Sequence, residues 1–125
     1  MLKRLALIFA IGYTVALTIV SLIKLNNLPD TGISFADKIF HFLAYALLTI
    51  FWFAAFSLGF SMKKKRAMFI AVVSAILFGI IIEVLQDTIT ESRALDVYDV
   101  LANSLGALLA SVILFFNNIL RVKNT

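Results

Sequence analysis

Apolar residues along the chain fall into four long runs, each closed by a polar or charged break. The runs cover about 5–23, 39–60, 67–86 and 97–120. A helix rises about 1.5 Å per residue, so about 20 residues cross the roughly 30 Å hydrocarbon layer of a bilayer. All four runs reach that length. The pattern predicts an all-α fold: a four-helix transmembrane bundle forming a single domain over residues 1–125. The first run is longer than the roughly 7–15 residues of a signal-peptide core, and no small-x-small site precedes Lys24, so it is expected to stay as an uncleaved helix. The longest connection, Lys24 to Lys38, carries turn signals at Asn26-Asn27, Pro29-Asp30 and Gly32.

The fourth run adds a constraint. Ser104 to Phe116 is free of charged and amide side chains, but thirteen residues of helix measure only about 20 Å. To cross, this helix must carry Asn103, and with it Asp99, to membrane depth or to its edge. Helical spacing then sorts the other polar residues. Asp37, His41, Tyr45 and Thr49 recur at i+4 on the second helix, with Lys38 three residues before His41. Gly79, Glu83, Gln86, Asp87 and Thr90 share a face of the third. Asp96, Asp99, Asn103, Gly106 and Ala110 form a stripe on the fourth, with Arg93 just before it. Facing lipid would leave these groups unpaired, so the three stripes are expected to face one another.

Composition agrees with a membrane chain. Hydrophobic residues make up 62% of the sequence and charged residues 14%, and the mean hydropathy is +1.04. Ordinary soluble domains hold about 45–50% and about 25% respectively. There is no cysteine and one histidine. That excludes a disulfide scaffold, a thiolate metal site and any centre needing two imidazoles. Trp52 and the many Phe residues read as bulk packing.

Charge predicts the topology. Lys3, Arg4, Lys63, Lys64, Lys65, Arg66, Arg121 and Lys123 all fall at one end of the bundle, with the basic quartet read as a loop. Lys24, Lys38, Arg93 and every acid fall at the other. The positive-inside rule puts both termini in the cytoplasm. The net charge of +4 is then a topology signal in short loops, and no nucleic-acid partner is expected.

Asp37-Lys38, His41, Tyr45, Glu83, Gln86, Arg93, Asp96, Asp99, Asn103 and Gly106, in this order and spacing, resemble the signature of the VanZ-like membrane proteins. That family is named after an accessory protein of teicoplanin resistance. The resemblance covers about residues 37–110. Ala110 departs from it, standing where the family often has a second glycine, and the loop from Asp87 to Ser92 lacks the Pro or Gly often found there. The resemblance implies a small multi-pass protein of the bacterial cytoplasmic membrane, linked to glycopeptide susceptibility or to envelope lipid chemistry. It implies no particular reaction, so the chain is not assigned as an enzyme.

The candidate roles follow from residue chemistry. His41 and Glu83 are the candidate acid–base pair. Asp37, Lys38, Tyr45, Gln86, Arg93, Asp96, Asp99 and Asn103 are candidate substrate-binding groups, with Lys38 and Arg93 suited to an anion. No cofactor is evident. The acids admit a divalent cation, Mg, Ca or Mn ahead of zinc, alongside the plainer reading of Asp96 as a helix-starting acid. The expected partners are membrane lipids and a lipid-linked cell-wall precursor or phospholipid head group. The number of copies in an assembly is not legible. Two other functions stay open: a proton- or cation-coupled transporter, and a structural subunit whose polar stripes only join helices.

Overall fold

A computed structural model describes residues 1–23, 34–89 and 97–123 of the chain. The described residues form four helices and no strand: α1 (Leu2–Ile23), α2 (Ser34–Ala54), α3 (Lys64–Ile89) and α4 (Val97–Lys123). Helix α2 runs on without a break into a π-helical turn at Ala55–Gly59. Each helix is long and apolar enough to cross a membrane, over Leu2–Leu22, Lys38–Gly59, Lys64–Thr88 and Val97–Asn117. The four-helix transmembrane bundle expected from the apolar runs is therefore present.

The helices outrun the apolar runs at several ends, α1 starting at Leu2 and α3 and α4 ending at Ile89 and Lys123, and two of the differences change where polar residues lie. Helix α2 begins at Ser34, five residues before the apolar run, so Asp37 and Lys38 are helical. Helix α3 begins at Lys64, so Lys64, Lys65 and Arg66 form its first turn and do not lie in a loop. Hydrophobicity marks where a helix enters hydrocarbon, whereas backbone hydrogen bonding continues into the polar layer. The α2–α3 connection is short. Ser61 takes a left-handed conformation at φ 55°, and the Met62 amide donates back to the Phe56 carbonyl at 3.1 Å. This closes the end of the π-turn in the manner of a helix C-cap.

The interior is built from small residues. Nine of the thirteen buried hydrophobic residues among those described are alanines, while Leu, Ile and Phe side chains cover the outside. This is membrane packing: lipid solvates large apolar groups, and small residues let backbones approach. On α3 the buried face reads Ala67, Ala71, Ala75, Gly79 and Glu83 at unbroken i+4 spacing. Helices α2 and α4 pack most extensively, and their approach centres on Gly106, where a methyl group would run into the Phe42 carbonyl oxygen of α2.

Three side chains dock α1. The Tyr13 hydroxyl donates to the Ala44 carbonyl at 2.6 Å. The Trp52 indole N–H donates to Thr14 Oγ1 at 2.8 Å. Gln86 Nε2 donates to the Ser21 carbonyl at 2.8 Å, which satisfies one of the last carbonyls of α1 that has no helical partner. Trp52 thus does more than the bulk packing read from the sequence.

Candidate functional site

The polar stripes of α2, α3 and α4 converge near one end of the bundle. Lys38 and His41 lie in the first two turns of α2, Asp99 in the first turn of α4, and Glu83 about one and a half turns before the end of α3. Antiparallel neighbours bring these positions to one depth, where the groups are within a few residues of water but inside the apolar spans.

The groups meet as follows. One ligand-capable atom from each of His41, Glu83 and Asp99 lies within 4.8 Å of the other two. Glu83 and Asp99 are 1% exposed and His41 6%. Lys38 Nζ donates to Asp99 Oδ1 at 2.6 Å, and its side chain remains 23% exposed, so it stands at the rim with its charge turned inward. The second oxygen of Asp99 faces His41 Nε2 at 3.6 Å. On the other side of the ring, His41 Nδ1–H donates to Asn103 Oδ1 at 3.1 Å. Partners 61 and 62 residues apart in sequence therefore hold the imidazole and the carboxylate in fixed relation.

Tyr45 sits one turn below His41 and is buried. A methyl on Gly79 would stand 3.1 Å from the Tyr45 ring and 3.0 Å from the Asn103 amide nitrogen, so the absent side chain at residue 79 is what admits both groups. The Tyr45 hydroxyl and Asn103 Nδ2 have no hydrogen-bond partner among the described residues. Thr49 donates to its own helix at the Tyr45 carbonyl and adds nothing to the cluster.

Of the ten residues singled out from the sequence, His41, Glu83, Lys38, Asp99 and Asn103 come together in one cluster, with Tyr45 directly beneath it. Gln86 is buried but its amide N–H is committed to α1, a role that helical spacing alone could not reveal because the acceptor is a backbone carbonyl. Asp37 lies in α2 with its side chain outside the description, and Arg93 and Asp96 lie outside the described residues. The sequence reading passed over the Thr14–Trp52 bond, for which there is no local signal.

Chemically, the cluster offers two carboxylates, an imidazole and an ammonium inside a low-dielectric shell. It can hold a cation, exchange a proton between imidazole and carboxylate, and present a lysine to an anion at the rim. No curated protein and no solved structure matches the chain. The family model described as VanZ/LLP1 matches residues 4–120, nearly the whole length and including every helix that carries the cluster, so the chain belongs to the VanZ/LLP1 family, as the signature on α2, α3 and α4 indicated.

Proposed function

We propose that this multi-pass membrane protein works in the bacterial cytoplasmic membrane with both termini in the cytoplasm. In this reading the polar cluster faces the outer leaflet and binds or acts on an anionic envelope substrate, a lipid-linked cell-wall precursor or a phospholipid head group. The observation that carries the reading is the burial of Glu83, Asp99 and His41 together, with a partly exposed lysine at the rim. Burying two carboxylates within apolar spans costs several kcal/mol per ion unless they are compensated (order of magnitude). Three Ala-lined helices with no polar stripes would pack without that cost.

The division of labour follows from position. Lys38 receives the anionic group, exchanging it against Asp99, and Arg93 is kept as a second candidate for that group by its charge. His41 and Glu83 transfer a proton. Asp99 and Asn103 orient the imidazole, while Asp37 and Asp96 are kept as substrate-binding candidates by residue type alone. A link to glycopeptide susceptibility follows if the substrate is the precursor those antibiotics bind. A relay through the membrane receives no comparable support, because the same face of α3 continues as Ala75, Ala71 and Ala67.

The test compares Glu83→Gln, His41→Ala and Arg93→Ala with the parent at equal membrane levels. Two readouts are used: glycopeptide susceptibility of the cells, and retention of anionic lipid by the purified protein. Loss of both in the variants is expected. Variants that match the parent in both readouts overturn the reading. Variants that only melt earlier favour the structural subunit.

A further inference from the structure

We propose that His41, Glu83 and Asp99 bind one divalent first-row transition ion, with imidazole Nε2 and one oxygen from each carboxylate as its protein ligands. The inference deepens the reading of this cluster as the working site and rests on it, with His41 and Glu83 serving as ligands in place of a proton-transfer pair. It differs from an acidic cation site, because the histidine is a ligand and the donors come from three separate helices.

The geometry carries the argument. Two ligands about 2.1 Å from the same ion stand about 3.4 Å apart at the tetrahedral angle and about 4.2 Å apart when opposite each other, so inward shifts of about an ångström or less per side chain close a set already within 4.8 Å. The Nε2–Oδ2 separation of 3.6 Å is longer than the roughly 2.7–3.2 Å of an N–H···O hydrogen bond. Two donors each about 2.1 Å from one ion reach that separation when they subtend about 120° there.

The second ring nitrogen points the same way. With Nδ1–H donated to Asn103 Oδ1, Nε2 is the ring nitrogen turned toward Asp99. An outer-shell carbonyl acceptor that fixes the tautomer is the arrangement metal-bound imidazoles use.

A further buried group fits the same picture. Tyr45 is 1% exposed, its hydroxyl has no partner among the described residues, and it lies one turn below His41 on α2. It is a ready donor for a water completing the ion's shell. One imidazole with two carboxylates suits manganese, iron or zinc. Three protein ligands leave a position for an oxygen of an anionic head group.

The full chain in zwitterionic-lipid nanodiscs, stripped with chelator, is titrated with Mn²⁺ alone and observed by pulsed electron paramagnetic resonance. The expected result is one ion per chain carrying the coupling of one imidazole nitrogen, with zinc competing. His41→Ala loses the nitrogen coupling. Glu83→Gln and Asp99→Asn lose the ion. Asn103→Leu weakens binding by about tenfold. Substoichiometric uptake of both Mn²⁺ and Zn²⁺ by the wild type at millimolar concentration overturns the proposal. This arm needs no variant to fold. Persistence of the nitrogen coupling in His41→Ala overturns it equally. A wild type that takes no ion but retains anionic lipid removes the metal and leaves the envelope-substrate reading standing; uptake of the ion without any anionic lipid binding does the reverse.

Discussion

At the residue scale, the lysine at the rim and the carboxylate beneath it are the most direct test of how the cluster is held together. Lys38 and Asp99 come from different helices and meet at 2.6 Å. Removing the lysine leaves a carboxylate that is 1% exposed without its closest cation, and breaking a pair of this kind is destabilising because the remaining charge stays buried. A double-mutant cycle of Lys38→Met and Asp99→Asn, read by chemical unfolding in detergent, is expected to give a coupling energy between about 0.5 and 3 kcal/mol. The double variant should be more stable than Lys38→Met alone. Strict additivity would mean that the two groups do not interact. The residue scale is also where the sequence was most informative. A histidine, a glutamate, an aspartate and an asparagine inside apolar runs are costly enough to be recognised singly, and their helical phase placed each on the right face. Phase does not record distance, so nothing in the spacing separated His41, which meets Asp99, from Gln86, which turns away to α1.

At the element scale, two glycines bound how closely the helices approach. Gly106 lies against the backbone of α2, and a backbone carbonyl cannot step aside. Gly106→Ala is expected to destabilise the bundle by at least the upper part of the range of about 1–3 kcal/mol for overpacking. Gly79 meets side chains, the Asn103 amide and the Tyr45 ring, which can shift. Gly79→Ala should therefore cost less stability but disturb the cluster more, visible as loss of lipid retention in protein that still melts cooperatively. Equal losses of stability would contradict this ranking. The left-handed Ser61 supplies a prediction of opposite sign. A non-glycine residue in this conformation costs roughly 1–2 kcal/mol, so Ser61→Gly is expected to raise the unfolding free energy by about 1 kcal/mol. A thermal melt followed by circular dichroism checks it. Neither the π-turn nor the left-handed serine was visible in the sequence, because both arise from how α2 must end to meet α3 and not from any local residue preference.

At the scale of the whole molecule, the four apolar runs established the number and order of helices, since only a helix can cross lipid with its own backbone satisfied. The runs mislocated the starts of α2 and α3, because hydrophobicity stops at the bilayer surface and the helix does not. Orientation follows from charge. Eight basic residues gather at the end holding Lys3, Lys63 and Arg121, and the positive-inside rule predicts that this end is cytoplasmic. The chain has no cysteine, so single cysteines report cleanly. Those placed at Lys63 and Lys123 in intact spheroplasts are expected to react only with a membrane-permeant reagent, and one at Asn26 with an impermeant one. The reverse pattern would turn the cluster toward the cytoplasm and end its assignment to the outer leaflet.

The seam between α1 and α2 has a practical consequence. The chain holds one tryptophan, and its indole is tied to Thr14 across that seam, about three helical turns from His41 along α2. Intrinsic fluorescence therefore reports on the docking of the first helix, with no label introduced. An agent that reaches only the charged pocket should leave the emission maximum where it is, and one that wedges the first helix away should shift it.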